Sequence, residues 1–268
     1  MLEIFGIIYL GKDDIEPQNQ LGRIHMYAPD GIFDIYNVDK VDETRKTIRH
    51  GDEFDMKDIK GPVPFEIECN SLDFDLFCGA YKGFVYNFFT EWRFLSNRQA
   101  SLAKIRLNNS LDGTGEIAVL MGMYAHATIA DVEVRVNSSD SSNVYGHVAA
   151  SNNYLDVPMT TSMLFLNKDD KGIPVGNDGL VPLSRSLVAV PSESVLYLDI
   201  SLVVAGQNIS TTLIFPARKT GVTKPKEYKN LSVTVKWNAL YYDSNKEEKK
   251  PDTMDLDRGL PGTPSYQQ

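Results

Sequence analysis

The chain has 268 residues, of which 42% are hydrophobic and 24% charged, with a formal net charge of −9 at pH 7 and an isoelectric point near 5.0. That is a globular composition, long enough for one large domain or two small ones. The acidic balance and the spread of lysines and arginines along the chain argue against nucleic acid as the main partner.

The opening stretch, residues 1–10, is apolar apart from Glu3 and runs straight into Gly11, Lys12, Asp13 and Asp14. It lacks the basic flank of a signal peptide and is too short to span a bilayer. It reads as a first strand of a soluble, cytoplasmic protein that does not enter membranes.

Alternation at period two continues along the chain and predicts strands over 21–27, 32–38, 64–69, 72–78 and 83–89. Further strands are expected over 102–107, 115–121, 128–136, 144–150 and 162–166. The last are 181–190, 194–204, 209–215 and 231–240. Val132, Val134 and Val136 face one way while Glu133 and Arg135 face the other, the mark of a half-buried antiparallel strand. No window keeps a helical period over three turns; residues 39–50 are polar and read as a loop or a single turn.

Turn residues recur at Pro29-Asp30-Gly31, Gly61-Pro62, Asp112-Gly113, Lys171-Gly172, Asn177-Asp178-Gly179 and Ala205-Gly206. Short strands punctuated in this way predict an all-β fold with an antiparallel β-sandwich architecture. The segment 2–24 is echoed by 132–148, which suggests two related β-units, 1–95 and 96–242. The tail, 243–268, turns charged and then Pro/Gly-rich, a composition that favours disorder.

Catalytic and metal signatures are weak. No Gly-x-Ser-x-Gly turn occurs, and neither Cys69 nor Cys78 lies near a histidine in sequence. Two free buried thiols are expected: on one extended segment their odd spacing puts them on opposite faces, and only a turn at Asn70-Ser71 would let them pair. His25, His50, His126 and His147 are widely separated. Asp169, Asp170 and Asp178 crowd a loop with Asn167 and Asn177 and are weak oxygen ligands for a hard cation, but Asn/Asp/Gly clusters also build hairpin turns. Asp73 and Asp75 share a strand face, as sheet surfaces commonly arrange. The four Asn-x-Ser sequons, at Asn108, Asn137, Asn208 and Asn230, read as turn residues. No cofactor is expected.

The densest aromatic run is Tyr81, Phe84, Tyr86, Phe88, Phe89, Trp92 and Phe94. Adjacent Phe88 and Phe89 cannot both face one core from a single strand, so this run is the candidate contact surface for a protein partner, a second copy of the chain, or a glycan.

Several strings in the second half carry a family resemblance: Val132 to Val136, Tyr145-Gly146-His147-Val148, Met163 to Gly172, Pro174 to Gly179, Leu183-Ser184-Arg185, Leu213 to Pro216, and Val233 to Trp237. Together with the opening Leu2 to Gly6 and Leu21-Gly22, they resemble a plant domain of unknown function, abundant in grasses and sometimes encoded beside ribosome-inactivating-protein domains. The resemblance covers about residues 2–240. It departs at Asn37 to Lys40, where the family shows an Arg-Asp loop. It implies a plant protein linked to stress or defence and assigns no chemistry to any residue. The neighbouring domains prompt a test for rRNA N-glycosidase residues; Glu91-Trp92-Arg93-Phe94 is the nearest string, but it follows a β-like run instead of lying on a helix. The sequence therefore predicts a non-enzymatic binding or assembly protein, with an enzyme of unlisted site, such as an rRNA N-glycosidase, or a carbohydrate-binding module as the alternatives.

Overall fold

The computed structural model describes residues 1–11, 14, 20–28, 31–38, 46–54, 59, 61–62, 71–78, 86–87, 100–108, 116–124, 126–137, 143–152, 161–168, 170–176 and 178–238. Every regular element among them is a strand, in the order β1 (Leu2–Tyr9), β2 (Gln20–Ala28), β3 (Gly31–Val38), β4 (Ser71–Cys78), β5 (Tyr86–Asn87), β6 (Ala100–Asn108), β7 (Glu116–Tyr124) and β8 (Ala127–Val136). The chain continues through β9 (Asn143–Asn152), β10 (Ser162–Asn167), β11 (Ile173–Pro174), β12 (Leu187–Pro191), β13 (Val195–Val204), β14 (Gln207–Pro216), β15 (Gly221–Val222), β16 (Lys226–Tyr228) and β17 (Leu231–Asn238). The strands build four antiparallel sheets, ordered β1-β7-β6, β3-β2-β4-β5, β10-β9-β13-β14 with β11 on β9, and β12-β8-β17-β15 with β16 on β17.

The last two sheets form the sandwich that the alternation predicts. Inward residues of β8, β9, β13 and β17, among them Val132, Val134, Val148, Leu198, Ile200, Val233 and Val235, share one buried core with Phe215 and Trp237. Each such side chain contributes about 1.5–3 kcal/mol through removal from water. Gly146 on β9 has φ +118, and a Cβ there would lie 2.1 Å from the Ser201 carbonyl oxygen on β13. Only glycine lets these two strands approach so closely.

The strand predicted over 181–190 is broken, and the break shapes the molecule. Leu180 and Val181 run beside β8, with Val181 N–H donating to the Val134 carbonyl at 2.9 Å. Pro182 then turns the chain: Leu183 N–H donates back to the Val181 carbonyl at 2.9 Å, a three-residue turn that suits proline's fixed φ at its centre. Ser184 N–H reaches across to the Leu164 carbonyl on β10 of the facing sheet, at 2.8 Å. The chain rejoins β8 only at Ser186, whose carbonyl accepts Val132 N–H, and β12 follows. Period two fails here because proline has no N–H to give the ladder. The predicted 231–240 strand is described as far as Asn238. The predicted strand over 64–69 and the tail lie outside the described residues.

β1 differs from a half-wet strand: residues 2–7 are all buried. It pairs with β7, and its sheet packs on the sandwich through Phe5, Leu120, Tyr124 and Ala189.

Candidate functional site

The outward face of β8 and β17 carries a groove of about 530 Å³. Its floor is set by register. Lys236 stands opposite Asp131, and Thr234 opposite Glu133. These residues alternate with the core valines, so the same period that buries Val132, Val134, Val233 and Val235 turns them outward. One wall is the irregular segment 180–186, through Leu180, Pro182, Leu183 and Ser186; the other is Val222 of β15, which is 59% exposed.

The charges on the floor are handled unequally. Glu133 is occupied: Arg135 Nε donates to it at 2.6 Å, while Arg135 Nη1 reaches Asp178 at 3.0 Å. Asp178 also accepts Leu180 N–H at 3.2 Å. That hydrogen bond, together with Arg135, holds its carboxyl below the usual aspartate range. Asp178 thus fixes the turn at the end of the groove wall. Gly179 beside it has φ +77, and a Cβ there would sit 2.4 Å from the Val136 carbonyl oxygen. Asp131 and Lys236, although directly opposite, form no ion pair with each other or with any other described residue.

The groove wall is anchored from behind. Arg185 extends from it into the space between the β10 and β12 edges, where it ion-pairs with Glu3 of β1, both side chains being almost wholly buried. Arg185 Nη1 also donates to the Ile4 carbonyl at 2.9 Å and Nε to the Leu187 carbonyl at 3.0 Å. The Glu3 carboxylate accepts Ser162 Oγ–H at 2.6 Å and Ala189 N–H at 2.9 Å. Burial pushes the Glu3 carboxyl above its usual range, against the pull of Arg185, Ser162 and Ala189. It pushes the Arg185 guanidinium below its own, against Glu3. Close by, Asn152 donates to the Tyr124 hydroxyl at 3.1 Å, and burial pushes that phenol upward. These groups are structural: they are sealed from solvent and satisfied by one another.

Of the residues singled out from sequence, Tyr81, Phe84, Phe88, Phe89 and Trp92 lie outside the described residues, as do Phe94, Glu91 and Arg93. Tyr86 falls on β5, opposite Phe74. Asp169 is also outside. Asp170 is exposed in the turn after β10, and Asp178 is taken up by Arg135 and Leu180. Cys78 ends β4, and Cys69 lies outside. His147 faces Asp199 across the strands at 3.7 Å.

Sequence reasoning misses the groove and the pair behind it. Glu3 has a signal, a single charge inside an otherwise unbroken apolar run, which marks a strand buried on both faces. Asp131 and Lys236 have none, since their pairing depends on a register between distant strands.

The chain belongs to a family of unknown function: the family model "Domain of unknown function (DUF6598)" matches residues 93–236. That segment holds β6 through β16 and most of β17, hence the whole groove, and leaves β1 outside. No curated protein matches the chain. Among solved structures it is similar to a chain of Extended-Synaptotagmin 2 that holds the SMP domain and two C2 domains, at 8% identity and a TM-score of 0.27, over 89% of this chain and 57% of that one. It is also similar to a second chain of Extended-Synaptotagmin 2 that holds the two C2 domains, at 8% identity and a TM-score of 0.28, over 88% of each chain. The chain thus spans little more than half of the first. No helix among the described residues is long and apolar enough to cross a membrane.

Proposed function

We propose that this chain is a non-enzymatic binding or assembly protein that works through the groove on β8 and β17. The observation that carries this reading is the pair of opposed charges, Asp131 and Lys236, without an ion-pair partner among the described residues, on a walled floor beside exposed Val222. The wet face of a sheet carries charges as a rule. Here a wall encloses them, and ligand sites typically combine such concavity with a few convergent polar groups. A ligand that offers an amine to Asp131, a carboxylate to Lys236 and an apolar edge to Val222 fits this floor. A short zwitterionic peptide has that chemistry. The plant stress or defence setting that the family resemblance implies is part of this reading as context.

Amide chemical-shift titration with a panel of dipeptides tests it. Shifts concentrated at Asp131, Ser186, Thr234 and Lys236, and lost in Lys236→Met, are expected. Shifts spread evenly, or unchanged by the substitution, would contradict it.

A further inference from the structure

β1 lies outside the family-matched segment, yet the Glu3 carboxylate is bound by Arg185, Ser162 and Ala189, all within it. Ala189 N–H is an outward donor of the edge strand β12, a group that water or another strand would otherwise have to satisfy. The Glu3 side chain takes that place. In return Arg185 donates to the backbone of β1 at Ile4, and Tyr124 N–H of β7 donates to Met1. Without β1, the edges of β7, β10 and β12 would frame a slot with a cationic floor.

We infer that this slot is a strand-accepting interaction site, selective for a β-strand that carries a carboxylate at the Glu3 position, and that β1 of a second copy of this chain can occupy it. The charge complementarity is specific. A strand lacking the carboxylate leaves a buried guanidinium uncompensated, which costs at least about a hundredfold in affinity. Strand exchange between identical chains is a known low-cost route to dimers, since every contact is already formed within one chain. The slot lies behind the groove wall and shares with it only Arg185, which anchors the wall without lining the groove, so strand binding and groove binding are read separately.

The test uses a fluorophore-labelled peptide of residues 1–11 and the full-length Glu3→Gln chain. The peptide is expected to bind and to raise the melting temperature of that chain toward wild type. The same peptide carrying Glu3→Gln should bind at least about a hundredfold more weakly. A second arm does not depend on the variant folding: a protease site is placed within residues 12–19 of the otherwise native chain and cut after folding. The labelled peptide should then replace the native strand, and two differently labelled cut chains should exchange β1 on mixing. Equal binding of the Glu and Gln peptides, or a cut chain that neither incorporates peptide nor exchanges strands, would overturn the inference.

Discussion

The two sides of the sandwich are closed by opposite means. At the β10/β12 side, a buried ion pair from β1 and Arg185 seals the edge, with hydrogen bonds from Ser162 and Ala189 and to Ile4 and Leu187. At the β14/β16 side, two lysines are laid over the rim. Lys229 Nζ donates to the Asn208 carbonyl at 3.0 Å, and Lys226 Nζ donates to the Ile214 carbonyl while sitting 4.8 Å above the Phe215 ring. Lysines on an edge strand are a standard guard against strand-to-strand association. One side is therefore built to receive a particular strand and the other to refuse strands in general. The receiving side also anchors the groove wall through Arg185.

Substitutions that break this comparison rank by how much uncompensated charge or volume they leave in the interior. Glu3→Gln should cost about 3–5 kcal/mol of stability, because Arg185 then lies buried without a counter-charge. The double change Glu3→Leu with Arg185→Met should recover part of that loss, since an apolar pair carries no desolvation penalty, though Ser162 and Ala189 lose an acceptor. Denaturant unfolding reads both.

Trp237→Ala should cost about 3–5 kcal/mol through the cavity it leaves in the shared core. Trp237→Phe should cost clearly less, because the buried indole N–H has no hydrogen-bond partner among the described residues and its removal strands no acceptor. A Phe variant as unstable as the Ala variant would mean that this N–H is satisfied in solution.

On the lysine side, Lys226→Ala with Lys229→Ala should change stability by about 1 kcal/mol or less, as exposed caps do. Its larger effect should be on association: light scattering should detect concentration-dependent oligomers once the β14 edge is bare. The smallest effect concerns acid. The Asp178 carboxyl is held below its ordinary range, so its contribution is present above the unfolded value and fades as pH falls through the folded one. Between about pH 4 and pH 2, Asp178→Asn should therefore lose stability less steeply than wild type.

Legibility in the sequence follows the range of the interaction. The sandwich strands are readable because inward valines alternate with polar neighbours on β8 and β17, a local property. The break after Val181 is half-legible: Pro182 marks it, but the hydrophobic residues around it imitate a strand. Glu3 is half-legible too: a lone charge in an apolar run marks its strand as buried on both faces, but nothing near it says that its partner is Arg185, far along the chain. The Asp131–Lys236 floor depends on a register that no local pattern encodes.

The central claim is that Glu3 and Arg185 act as one unit closing the sandwich and holding the groove wall. A double-mutant cycle of Glu3→Gln and Arg185→Met, read by denaturant unfolding, tests it most directly. The structure predicts a coupling energy of about 2 kcal/mol or more between the two positions; additivity to within about 0.5 kcal/mol would contradict it.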